Sequence, residues 1–191
     1  MLLMLAGFVT LLVLQQVYSS PTASSRLAGQ FGASGYRVGL GALALAALAL
    51  ILLGRTQIPY QFVWFPPPWL RALVLPLMFF AFILTAASLV PSNLRRLSRR
   101  PVLWGVVLWA IAHLLTKENL GAITLFSGFG ILALCEIAAV AKRTRTARDG
   151  KLPLSREFLT VGVGGTLFIV VFFAHGTLFG ISPAMMSRPF G

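Results

Sequence analysis

Residues 101–145 read PVLWGVVLWAIAHLLTKENLGAITLFSGFGILALCEIAAVAKRTR: two long apolar runs parted only by Lys117, Glu118 and Asn119, then a run of bases. The hydrocarbon of a bilayer is about 30 Å thick and takes about twenty apolar residues to cross as a helix. In lipid every backbone N–H and C=O has to find its partner within the protein, so runs of this kind cross as helices. Two spans joined by three polar residues predict a tight helical hairpin. The bases at its far end predict a cytoplasmic face, where Lys and Arg accumulate.

The same pattern recurs on both sides of this hairpin. Of 191 residues, 58% are hydrophobic and 10% charged, with a mean hydropathy of +0.88, and a chain so composed has too little polar surface to fold in water. Apolar runs at 1–18, 35–54, 70–90, 102–116, 120–141 and 158–181 predict six transmembrane helices in one bundle. The expected fold class is therefore all-α integral membrane protein, with residues 1–191 as one domain. The odd loops hold Arg26 and Arg37, then Arg95, Arg96, Arg99 and Arg100, then Lys142, Arg143, Arg145, Arg148, Lys151 and Arg156. Only Arg55, Arg71, Lys117 and Arg188 fall elsewhere. The positive-inside rule puts the odd loops in the cytoplasm and both termini in the periplasm. The net charge of +12 thus reads as anchoring beside anionic lipid, with the bilayer as partner and no nucleic acid.

Residues 1–18 lack a basic leading segment, and cleavage after them would export twelve of the sixteen bases, so they are expected to stay as the first helix. The segment WFPPPWL, residues 64–70, cannot continue a helix through three prolines, and its tryptophans suit the membrane interface; it is expected to form an external cap. Gly39 with Gly41 and Gly162 with Gly165 are expected to let helix backbones approach closely. The single Cys135 excludes an intrachain disulfide and Cys-rich metal centres. Four acids are too few for a multi-carboxylate metal site, and the phosphate-loop, nucleophile-elbow and H-E-x-x-H motifs are absent.

Polar side chains inside spans are the natural functional candidates, because burying them without partners costs several kcal/mol. His113 falls roughly 16 Å and His175 roughly 25 Å above the cytoplasmic start of its span, at 1.5 Å per residue. Both then sit in the outer half of the membrane. They are the only histidines, and two neutral imidazoles on facing helices are what bis-histidine haem ligation requires. The alternative is that each bonds to a neighbouring helix or meets water. Glu136 is expected near the cytoplasmic face, either paired with Arg95, Arg96, Arg99 or Arg100 or handling protons or substrate. Gln15 and Gln16 read as helix-to-helix hydrogen bonding.

PPPWLRALVLPLMFFAFIL (66–84), NLRRLSRRPVLWGVVLWAIAHLLTKENLGAITLFSGFGILALCEI (93–137) and AHGTLFGISP (174–183) together resemble the NnrU family of bacterial inner-membrane proteins. Pro67, Pro68, Trp69, Leu70, Asn93, Arg95, Pro101, Gly105, Trp109, His113, Leu114, Leu115, Leu125 and Phe126 carry the likeness. The resemblance implies a multi-pass bacterial inner-membrane protein, an accessory factor linked to denitrification and nitrogen-oxide metabolism, with another membrane protein as a partner. It also implies a relationship to 15-cis-zeta-carotene isomerase, a haem b enzyme. On that second reading His113 and His175 are axial ligands for isomerisation of a long apolar polyene, with Phe168, Phe172 and Phe173 lining the cavity. A third reading, a membrane methyltransferase, uses Arg99, Arg100 and Glu136. Asn119, Arg95, Arg100 and Trp109 complete the candidates. The chain departs from the family pattern at Arg99-Arg100-Pro101, where Arg-His-Pro is usual, at Lys117-Glu118-Asn119, and at Gln15-Gln16, where a first-helix histidine is common.

Overall fold

The computed structural model describes residues 1–97, 100–143 and 150–180. Seven α-helices are described: α1 (Leu2–Ser19), α2 (Pro21–Thr56), α3 (Arg71–Leu89), α4 (Leu94–Leu97), α5 (Pro101–Leu114), α6 (Leu120–Arg143) and α7 (Leu154–Phe179). Among the described residues there is no strand, only an isolated antiparallel bridge between Phe62 and Asn119. Five helices are long and apolar enough to cross a membrane, and α5 is a shorter apolar helix of 14 residues. The protein is of the all-α membrane class.

One element differs from its expected bounds by more than a few residues. The span expected at 35–54 is the second part of a 36-residue α2, which starts at Pro21 and breaks at Gly32, where φ is 74°. Only glycine adopts that conformation without strain. The first part is polar, so hydropathy misses it. Its start is nonetheless marked by Ser20, whose hydroxyl accepts from Ala23 N–H at 3.3 Å, and by Pro21 in the first turn. The prolines at 66–68 do interrupt the helix, which resumes as a 3-10 turn over Pro68–Leu70.

The helices fall into two compact units. One comprises Met1–Trp64 and Glu118–Arg143, hence α1, α2 and α6; the other holds α3, α4, α5 and α7. Expected as a hairpin pair, α5 and α6 belong to different units, α5 packing on α3 and α6 on α1.

In the first unit α1 and α2 touch backbone to backbone. A Cβ on Gly7 would lie 2.6 Å from Ala47 O, and one on Gly54 would strike the backbone of Met4. Met4, Phe8, Ile51 and Ile58 form the buried core, and Phe8 meets Phe129 edge to face at 5.2 Å. Gln15 Nε2 donates to Leu132 O at 3.2 Å and, one turn on, Ser19 Oγ donates to Glu136 at 3.1 Å, so a polar ladder joins α1 to α6. The segment after α2 is clipped to the start of α6 by Val63 N–H to Glu118 O and Leu120 N–H to Gln61 O, both 2.8 Å.

In the second unit a Cβ on Gly105 would lie 2.8 Å from Ala81 O, and one on Gly164 would lie 2.7 Å from Ile83 Cα, which sets α5 and α7 hard against α3. Asn93 and Leu152 exchange hydrogen bonds of 3.0 and 2.9 Å, and Asn93 N–H also donates to Glu157. The glycines expected to make close contacts do not: Gly39, Gly41 and Gly162 face open space and Gly165 meets Phe79 at an ordinary 3.7 Å.

Candidate functional site

A cavity of about 70 Å³ lies within the second unit, lined by α3, α5 and α7. On α7 the lining residues are Phe168, Val171, Phe172 and His175, at the i, i+3, i+4, i+7 spacing of one helix face. On α3 they are Val74, Leu75, Met78 and Phe82; from α5 and its final turn come Ala112, His113, Thr116 and Lys117. Both histidines therefore line one cavity. Phe168 and Phe172 line it as expected, but Phe173, 100° further round the helix, is 76% exposed and lies outside it.

The cavity has a polar end and an apolar end. His113 lies at the C-terminal end of α5 with Thr116 and Lys117 just after it, and His175 lies near the C-terminal end of α7, whereas Phe168 lies seven residues before His175 on α7 and Phe82 seven residues after Leu75 on α3. Phe168 is held edge-on by Phe79 at 5.8 Å and Phe82 at 6.1 Å, which stiffens the apolar end.

The His113 Nδ1 lies 2.8 Å from the carbonyl oxygen of Trp109, one turn earlier on α5. A carbonyl only accepts, so in the neutral ring Nδ1 carries the proton and Nε2 keeps the lone pair. That is the tautomer a metal-ligating imidazole needs, with the backbone carbonyl orienting the ring. The indole of Trp109 adds a tilted contact at 5.0 Å, and Phe179 lies 4.8 Å from the ring of His175. Trp109 itself lines a neighbouring apolar pocket of about 110 Å³ that shares Met78 and Phe82 with the first.

The other candidates sit apart from this cavity. Glu136 is buried in the first unit, at 2% exposure, and accepts the Ser19 hydroxyl. Of its expected ionic partners, Arg95 and Arg100 belong to the other unit, Arg99 lies outside the described residues, and the Arg96 side chain is likewise not described. Asn119 Oδ1 accepts from Ala122 N–H at 2.9 Å, which caps α6, and from Arg55 at 3.2 Å. Arg95 and Arg100 are exposed, the latter as the residue before α5. Among the described residues no group of three or more His, Cys, Asp or Glu could hold a metal ion. Reading the chain alone left out Thr116 and Lys117, although their i+3 and i+4 spacing from His113 puts them on its helix face.

No curated protein and no solved structure matches the chain. The family described as "NnrU protein" does, over residues 2–183. Spanning nearly the whole sequence, including the cavity and both units, that match shows that the chain belongs to the NnrU family.

Proposed function

We propose that this NnrU-family protein holds haem b between His113 and His175 in the bacterial inner membrane, and that it serves nitrogen-oxide metabolism as an accessory factor that carries or handles that group. One observation carries the reading: the two histidines of the chain line the same cavity. The residues fit the group in kind. His113 offers an oriented Nε2 lone pair, the walls are phenyl and aliphatic, and Lys117 supplies a cation at the polar end.

The free volume of about 70 Å³ is smaller than the roughly 300–1,000 Å³ of ligand sites, so seating a macrocycle requires wall side chains to part. Met78, unbranched and shared with the neighbouring pocket, is built for such repacking. When bound, haem supplies one-electron chemistry at its iron. The protein's own part is to bind it, orient the imidazoles and exclude water with Phe82, Phe168 and Phe172. An isomerase would need room for a long polyene as well, and a methyltransferase draws on Glu136 and Arg100 of different units; no observation favours either. On this reading both termini are periplasmic and the histidines lie nearer that face, an orientation that the positive-inside rule supports and that reporter fusions at the N-terminus and after Arg55 test.

The deciding experiment is the absorption spectrum of detergent-purified protein, expressed with ample haem, oxidised and dithionite-reduced, beside His113→Ala and His175→Ala. A Soret band with sharp reduced peaks, lost in either variant, is the expected result. A colourless wild type overturns the proposal.

A further inference from the structure

We infer that the apolar pocket beside the histidine cavity is its entrance: a guest reaches the cavity sideways, out of the hydrocarbon of the bilayer, and the Met78 side chain is the door. The inference rests on reading the cavity as a ligand site, and it adds the route by which the ligand arrives. The two spaces have a common wall. Met78 and Phe82, one turn apart on α3, line both. On the entrance side α5 contributes Val106 and Trp109, and on the cavity side Ala112 and His113, so one space follows the other along the same helix pair. The entrance pocket, a groove, is the more open of the two.

The chemistry of the groove selects what can pass. Thr85 lines it with a hydroxyl that donates to Ala81 O at 2.9 Å, and the rest of the lining is aliphatic, thioether, phenyl and indole. A hydrated solute would shed its water there without a matching gain, whereas a solute already dissolved in lipid tails sheds none. Of the two shared residues Phe82 is pinned, its ring meeting Phe168 edge-on at 6.1 Å. Met78 is unbranched and flexible, so it is the one that can swing aside. Pro76, two residues earlier inside α3, has no N–H to give the carbonyl of Ala72, so the helix is least braced in the turn that leads to Met78. The backbones of α3 and α5 meet at Gly105, where a Cβ would lie 2.8 Å from Ala81 O, so passage depends on a side chain moving and not on a gap between helices.

The test labels a thiol inside the cavity and needs no haem. In the full chain carrying Cys135→Ala, reconstituted in phosphatidylcholine vesicles, Ala112→Cys puts the thiol on the cavity wall and not on the groove. Benzyl methanethiosulfonate, which dissolves in lipid, is compared with the charged 2-sulfonatoethyl methanethiosulfonate, which stays in water. Labelling is followed by mass spectrometry, relative to the same chain unfolded in SDS. The apolar reagent should label the folded chain and the charged one should not. Val106 lines the groove and not the cavity, so Val106→Phe fills the route alone. That change and Met78→Ile, stiff at χ1, should each slow the apolar reagent about tenfold. Charged labelling as fast as apolar, apolar labelling that either substitution leaves unchanged, or no labelling by either reagent overturns the inference. The expected labelling beside a colourless wild type leaves the entrance standing for another apolar guest and removes the haem alone. A haem spectrum beside labelling indifferent to both substitutions does the reverse.

Discussion

The two units use one packing device to opposite ends. In the first, glycines bring backbones together at Gly7 and Gly54, Gly128 receives the ring of Phe8, and Met4 and Ile51 are fully buried beneath them. In the second, Gly105 and Gly164 do the same for α5 and α7 against α3. Eight residues beyond Gly105, roughly 12 Å along α5, stands His113, and eleven beyond Gly164, roughly 16 Å along α7, stands His175. Small residues pull three helices together at one level; phenyl and imidazole rings hold them apart at the other. The cavity lies at the level of the larger side chains, whereas the corresponding buried cluster described in the first unit is apolar side chains packed on one another.

The sharpest way to break this comparison is to fill the contacts. Gly164→Leu and Gly54→Leu each force a side chain into backbone and should cost about 3 kcal/mol, read as lower thermal stability in detergent. Gly162→Leu, two residues away and facing open space, should be neutral. Equal losses at Gly162 and Gly164 would sink the claim that close backbone approach sets the helix spacing.

A smaller effect probes the polar ladder of the first unit. Ser19→Ala removes a donor from the buried Glu136 carboxylate and should cost about 2 kcal/mol. On a Glu136→Gln background the same change should cost about 1 kcal/mol, because a neutral amide oxygen is a weaker acceptor. Identical losses on both backgrounds would mean that the charge plays no part. Smaller again is Asn119→Ala, which removes the cap of α6 and should cost about 1 kcal/mol, with Asn119→Asp close to wild type. Both losses concern stability; neither should alter ligand binding in the second unit.

Hydropathy alone is sufficient for the class and for the spans, since apolar runs of this length have few other fates. It misses the start of α2, whose polar first part is held by its cap at Ser20 and Pro21. The glycines were legible as small residues but not as contacts, because what a Cβ would meet depends on another helix. Depth along the spans puts His113 and His175 both in the outer half of the membrane and leaves open whether they share a site; their common cavity depends on rotation about each helix axis. Phe173, expected beside Phe168 and Phe172, is ruled out of the cavity by helical spacing, since 168, 172 and 175 share a face and 173 does not. Lys117 was read as a hairpin charge because Asn119 and α6 follow so closely, whereas the unit boundary falls just after it.

The mildest test concerns the clip between Tyr60 and Glu118, which lies outside the spans and holds the first unit's connecting segment. The Tyr60 hydroxyl donates to Glu118 Oε1 at 2.8 Å. That hydrogen bond, then desolvation, then the negative charge of Glu118 raise its pKa above the ordinary 10.0. Folding thus favours the protonated phenol: the contribution is complete below pH 10.0 and is lost as pH rises through the raised folded value. Because the ring is exposed, Tyr60→Phe should leave stability nearly unchanged at neutral pH. In an alkaline titration followed by tyrosinate absorbance, the late component should vanish in Tyr60→Phe and move back towards the ordinary value in Glu118→Gln. A titration curve unaltered by Glu118→Gln would show that the clip does not form, leaving the backbone bonds of Val63 and Leu120 as what fastens this segment to α6.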